Sequence, residues 1–252
     1  INVIGDEACP GLRFDVKMPH ARQSTKELLA KLEEENPKIF VSMKAAFSNI
    51  QLSTFFNKKD LNTLTNIIAS RRDIRGNNFI YKKVSNKKLK VILESALNAP
   101  SVGYSQPWEF IVVDEEKKNL VYEYFTKAFN KSKTKFLDKP LYNSLKLEGI
   151  KESNINIAVY YKKSTSNVLG QTYMKRTGEY SVVCAILNMW LTARALNIGM
   201  GWVSILEPKK INKIFDIDKN EYKFIAYLCF GYAKEFYNEP ELKNLNGIKK
   251  EN

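Results

Sequence analysis

Three arginines within five residues, Arg71, Arg72 and Arg75 in the segment SRRDIRG (70–76), give the strongest chemical signal in this chain. A planar guanidinium grips a phosphate or carboxylate through two donors at once, which lysine cannot do. The cluster is therefore a candidate anion site, with a solvated basic turn after a helix as the structural alternative. If the segment stays helical, Arg75 returns to the side of Arg71. Asp73, among the three arginines, is expected to be ionised, since nearby positive charge lowers a carboxyl pKa. It serves either in catalysis or as an internal ion pair or cap. In the loop APSVGYSQPW (99–108), Gly103 permits close backbone approach to a planar ligand, Ser101 offers a hydroxyl, and Pro107-Trp108 walls off one side. A tight structural turn accounts for the glycine and prolines alone. The segment SLKLEGI (144–150) is the third. In the fourth, GMGWVSI (199–205), Gly199 and Gly201 flank a strand start and suit a ring system pressed against the backbone. Ser204 shares the side of Trp202 by period two, either facing a ligand or hydrogen-bonded inside the fold.

These segments need a frame. Ser24 and Glu27 read as a capping box opening a helix over 26–35 that Pro37 closes. A helix over 60–70 feeds into the arginine cluster. Ser85 caps the next, whose apolar set Leu89, Ile92, Leu93, Ala96 and Leu97 follows helical spacing. Further helices are expected over 116–130, 141–150 and 179–196, and a short one begins at Pro208. The 179–196 helix is apolar nearly all round and should be a buried central element. Strands are expected over 108–113, 155–161, 200–206 and 222–232. About four strands separated by helices make an α+β or α/β sandwich. It is no Rossmann domain, because no GxGxxG joins a strand to a helix, and no P-loop is present.

The formal charge is +13, from 40 Lys+Arg against 27 Asp+Glu, and all of it lies beyond residue 53. Such a balance fits nucleic acid or an anionic ligand. The basic residues are mostly dispersed lysines, however, with no aromatic-interleaved stripe of the kind single-strand binders use. His20 is the one histidine, so no metal site can hold two imidazoles and no CxxC pair replaces them. Demanding chemistry then calls for a bound organic cofactor. Cys9, Cys184 and Cys229 make no disulfide framework. The longest uncharged run, Tyr180–Ala193, is too short for a membrane helix, and no signal peptide is visible. A reducing cytoplasm is the expected location.

Taken in order, RRDIR, APSVG-x-x-QPW, SLKLEGI, VLG, YS-x-VCA-x-x-N-x-W, GWVSI and YLC-x-GY followed by EPEL resemble the nitroreductase-like FMN flavoproteins. Within them, the chain is most similar to the 5,6-dimethylbenzimidazole synthases. The likeness covers roughly 54–247, with SLKLEG and GWVS its most specific parts. It implies a nitroreductase-like α+β sandwich: a mainly antiparallel central sheet flanked by helices, around a long buried central helix. It implies oxygen-dependent fragmentation of reduced FMN to 5,6-dimethylbenzimidazole, the lower ligand of vitamin B12, and erythrose 4-phosphate. Asp73 and Ser204 match the family's catalytic positions, and Arg71, Arg72, Asp73, Ile74, Arg75, Ser101, Gly103, Leu147 and Ser204 its FMN positions. It also implies a homodimer with FMN sites at the interface and a separate reductase supplying reduced FMN, with no nucleic acid and no membrane as partners. The chain departs from the family at Tyr104-Ser105, where Phe-Met is usual, and at Glu179, where Asp is usual. Residues 1–53 lie outside the likeness and form an N-terminal extension to an FMN domain over 54–252. The alternatives are an NAD(P)H-dependent FMN nitroreductase that keeps its flavin and, from another class, a basic nucleic-acid binder.

Overall fold

Period-two alternation of apolar residues builds a sheet whose two faces bury different side chains. The computed structural model describes Lys31, Glu34 and residues 57–133 and 148–241. Its strands are β1 (Trp108–Val112), β2 (Ile155–Lys162), β3 (Gly199–Val203) and β4 (Tyr222–Gly231), in the order β1-β2-β4-β3. Every pairing is antiparallel, with Trp108 opposite Tyr161, Ile157 opposite Leu228 and Gly201 opposite Cys229. The helices are α1 (Lys58–Ser70), α2 (Asn86–Leu97), α3 (Glu115–Lys133), α4 (Thr177–Ala195) and α5 (Pro208–Phe215).

On one face, Ile157, Val159, Leu228 and Phe230 pack with Ile92 and Ala96 of α2 and with Val182, Ile186 and Met189 of α4. On the other, Ala158, Tyr160, Tyr227 and Cys229 meet Val121 and Phe125 of α3 and Ile211 and Phe215 of α5. Each large side chain so buried contributes about 1.5–3 kcal/mol. The result is a helix–sheet–helix sandwich of the expected α+β class. Ser85 caps α2 as expected, its hydroxyl accepting from the Lys88 amide at 3.4 Å. No helix among the described residues is long and apolar enough to cross a membrane.

Two compact units divide the chain, Ile1–Leu61 and Asn62–Asn252, and the whole sheet belongs to the second. In the first, Lys31 and Glu34 are helical and exposed, while the rest of the helix expected over 26–35 lies outside the described residues. Asn57 opens α1, its Oδ1 accepting from the amides of Lys59 and Asp60 at 2.8 and 3.1 Å.

Differences from the expected elements have local causes. The strand expected over 200–206 ends at Val203, where pairing with β4 stops at Tyr227. Of the helix expected over 141–150, residues 148–150 are not helical and the remainder lies outside the described residues. The central helix α4 buries Ser181, Val182, Ala185, Ile186, Met189 and Ala193. Its apolar circumference is not wholly covered within one chain, because Tyr180, Val183 and Leu187 form an exposed stripe at i, i+3 and i+7.

Candidate functional site: an arginine pocket beside strand β3

The arginine segment leaves the helix at Ser70 and runs extended. Asp73 bridges Met200 in parallel, and the Ile74 amide donates to the Met200 carbonyl at 3.0 Å. Extended alternation, rather than a continuing helix, therefore sorts these side chains. Ile74 enters the core with 1% exposure, so its part in any ligand site is to anchor the strand that carries its neighbours. Arg72 bends back over α1, where Nη1 donates to the carbonyls of Ala69 and Arg71, both at 2.7 Å. These lie at the helix end, whose carbonyls lack intrahelical partners and whose dipole favours a cation.

Arg71, Arg72, Asp73 and Arg75 line one side of a cavity of about 190 Å³, and Tyr237, Pro240 and Glu241 line the other. Arg75 reaches Asp73 through Nε at 3.4 Å and Glu241 through Nη1 at 3.8 Å. Arg72 Nε and Arg75 Nη1 are buried without a hydrogen-bond partner. Leaving a buried donor unmade is costly, and an oxygen-rich anion in the cavity would satisfy both. The donor set thus fits a phosphate-bearing ligand. Larger cavities, about 380 Å³ beside Tyr161 and about 550 Å³ between α2 and β1, are lined by neither arginine nor Asp73.

The end of α4 holds this segment in place. Trp190 Nε1 donates to the Arg72 carbonyl at 3.2 Å, and the Arg71 guanidinium stacks over the Trp190 ring at 4.5 Å. Arg194 Nε donates to the Ser70 carbonyl and hydroxyl at 3.2 and 3.0 Å, and its guanidinium lies 4.1 Å over Phe236. The sequence placed Trp190 in the buried central helix and Glu241 in the EPEL of the family likeness, and none of Trp190, Arg194, Tyr237 or Glu241 was expected at the site. One signal was available: Arg194 is among only seven arginines in the chain.

The glycines of β3 serve the protein itself. A Cβ on Gly199 would lie 2.8 Å from Ile74 Cγ1, and one on Gly201 would collide with the Ile74 carbonyl oxygen. They let the arginine strand pair closely, in place of the ring system expected against them. Gly201→Ala should cost about 1–3 kcal/mol through forced backbone displacement, read as a lowered urea midpoint. Because Ile74 follows Asp73, affinity for a phosphate-bearing ligand should fall with it.

Asp73 Oδ1 accepts from the Trp202 amide at 3.0 Å. Its carboxyl is raised above the ordinary carboxylate range: desolvation by burial outweighs the Trp202 hydrogen bond and the charges of Arg75 and Arg71. The expected lowering of its pKa is reversed, although 37% side-chain exposure moderates the rise. A carboxyl raised by folding favours the native state most when protonated. Its contribution is fully present below the unfolded value near 3.8 and is lost as pH climbs through the raised native value. Asp73→Asn escapes that loss. Its stability relative to wild type should therefore increase from about pH 4 to about pH 7, measured by urea unfolding at both.

The remaining sequence candidates fall in different places. Ser204 sits one residue past β3 and is exposed, not buried inside the fold. Ser101 Oγ accepts from the Gln106 amide at 3.1 Å and so closes the loop. Gly103 has φ +55°, and a Cβ there would lie 2.7 Å from the Leu169 carbonyl oxygen. The close approach expected of a planar ligand is made by Val168-Leu169 of the chain itself. Leu147 lies outside the described residues. At the end of its segment, the Glu148 carbonyl accepts from the Gly76 amide at 2.7 Å, tethering the chain just past Arg75.

Residues 68–232 match the nitroreductase family. The chain is 37% identical over 180 residues to the 5,6-dimethylbenzimidazole synthase of Rhodospirillum rubrum, covering 69% of this chain and 84% of that one. It is 30% identical to the enzyme of the same name from Rhodobacter capsulatus, covering 76% and 93%. A BluB-like flavoprotein from Clostridium difficile superposes with a TM-score of 0.56 at 18% identity, over 74% of this chain and 99% of its own. An oxidised iodotyrosine deiodinase bound to FMN and 3-iodo-L-tyrosine gives 0.56 at 20%, over 75% and 98%. The family match spans the arginine segment, the 99–108 loop, α4 and the whole sheet, and the fold agrees with it: the chain belongs to the nitroreductase family.

Proposed function

We propose that this protein is a 5,6-dimethylbenzimidazole synthase, cleaving reduced FMN with O2 to 5,6-dimethylbenzimidazole and erythrose 4-phosphate. The observation that carries the reading is the 37% identity to the Rhodospirillum rubrum synthase across 84% of that enzyme, joined to a carboxyl that lines an arginine pocket. When bound, reduced FMN supplies the oxygen-reactive ring. Arg71, Arg72 and Arg75 hold its phosphate and electron-rich edge, and Ile74 anchors the arginine strand. Asp73 takes a proton on the carboxylate that Trp202 and Arg75 orient. Burial raises its pKa above the ordinary aspartate value, which makes it a better proton acceptor than a free carboxylate. Ser204 offers a hydroxyl at the exposed end of β3 for a hydrogen bond to the ligand or a proton relay.

The protein acts as a homodimer in this reading. Support comes from the uncovered stripe Tyr180, Val183 and Leu187 on α4 and from exposed Leu64 and Ile68 on α1, apolar surface that a second copy would cover. A separate reductase delivers the reduced flavin, and the free thiols Cys184 and Cys229 suit a reducing cytoplasm. Residues 1–53 form an extension to an FMN domain over 54–252, in keeping with a family match that begins at residue 68.

The family match itself favours one second reading, an NAD(P)H-dependent nitroreductase that retains FMN. Aerating the protein with chemically reduced FMN separates the two. The synthase forms 5,6-dimethylbenzimidazole, whereas the nitroreductase merely reoxidises its flavin.

A further inference from the structure

The geometry points to the C-terminal segment Tyr237–Glu241 as a specificity wall: it restricts the arginine pocket to a terminal phosphomonoester and excludes a flavin whose phosphate continues into a second phosphate. This deepens the proposed function and rests on the arginine pocket holding the flavin phosphate.

The wall is built into the fold. Beyond β4 the chain turns back along the segment after Arg75, with Phe79 and Ala233 in an antiparallel bridge. Asn78, 4% exposed, clasps the returning strand from both sides of its amide. Its Nδ2 donates to the Glu235 carbonyl at 2.9 Å, and its Oδ1 accepts from the Glu235 amide at 3.2 Å. The Lys234 amide donates to the Asn78 carbonyl at 2.8 Å. Phe236 then lies under Arg194, and the Asn238 carbonyl accepts from Arg72 Nη2. This path brings Tyr237, Pro240 and Glu241 across the cavity from the three arginines.

Charge and shape then act together. A monoester phosphate has one bridging oxygen and three free ones, and the free ones can face Arg71, Arg72 and Arg75. In a dinucleotide flavin, one of those positions becomes a bond to a second phosphate, and Tyr237, Pro240 and Glu241 line the side of the cavity opposite the arginines. Of these, the Glu241 carboxylate places Oε2 3.8 Å from Arg75 Nη1. A second phosphate brings further negative charge toward that carboxylate, and building repulsion against the wrong ligand is a common source of specificity. Glu241 keeps 28% side-chain exposure and Arg75 15%, so neither charge is fully screened.

The test uses the full chain and three oxidised probes, riboflavin, FMN and FAD, with affinity read from quenching of flavin fluorescence. Wild type should prefer FMN to FAD, and Glu241→Gln should narrow that preference by about tenfold, mainly through tighter FAD. Tyr237→Ala should shift the ratio in the same direction by opening the wall, while Glu241→Asp should retain the wild-type ratio. If FMN binds normally and the FMN-to-FAD ratio is unchanged in both Glu241→Gln and Tyr237→Ala, the wall has no such role. If wild type binds FMN no better than riboflavin, the arginine pocket is not a phosphate site, and this inference falls with that reading.

Discussion

Asp73→Asn should lower 5,6-dimethylbenzimidazole formation by about 10²- to 10⁴-fold, the usual contribution of a positioned proton-transfer group. FMN binding should stay within a few-fold of wild type. Asparagine keeps an oxygen to accept from the Trp202 amide, as Asp73 Oδ1 does at 3.0 Å, so the arginine strand keeps its pairing with β3. What is lost is the group that can hold a proton. Single-turnover product assays with reduced FMN, beside binding of oxidised FMN, separate the two effects. A variant that loses binding in parallel with turnover would make Asp73 a scaffold for Arg75, to which Oδ2 is bonded at 3.4 Å. In the wild type the acidic limb of turnover should report the raised carboxyl, lying above the ordinary aspartate value near 3.8.

Arg71→Ala should weaken FMN binding by about 10- to 150-fold, the equivalent of one charged hydrogen-bonding group at roughly 1.5–3 kcal/mol. Riboflavin, which lacks the phosphate, should bind the variant and wild type alike. The Arg71 guanidinium carbon lies 4.5 Å over the Trp190 ring centre, and a planar guanidinium can meet an anion in a fork. Arg71→Lys should recover only part of the affinity, because an ammonium has neither the plane to stack nor the fork. Equal loss of FMN and riboflavin would move Arg71 from the phosphate to the ring or to the fold.

The elements were legible in the sequence wherever one periodicity ruled. Leu89, Ile92, Leu93 and Ala96 announce α2, and its cap at Ser85 is where the hydroxyl suggests. The arginine cluster was legible as an anion site because side-chain chemistry alone marks it. The backbone beneath it was not: residues 71–75 have no apolar period, and their extended path is set by pairing with Met200, more than a hundred residues away. The same long-range pairing explains why Gly199 and Gly201 admit Ile74 rather than a ring. The sign of the Asp73 shift was also illegible. Three neighbouring arginines argue for a low pKa, and only the packing around the carboxyl shows that desolvation outweighs them. EPEL marked Glu241 only as part of a likeness, and the place of Tyr237 and Glu241 across the cavity was illegible because it depends on the Asn78 clasp.

The central claim is that this protein consumes its flavin, and the most direct measurement is the carbon balance of one aerobic turnover. Purified protein is mixed anaerobically with limiting reduced FMN, opened to air, and analysed for residual FMN and 5,6-dimethylbenzimidazole. Dimethylbenzimidazole should appear in close to equal molar amount to the FMN lost, in a reaction that stops when the flavin is exhausted. Full recovery of oxidised FMN with no dimethylbenzimidazole would contradict it and leave a nitroreductase that keeps its flavin.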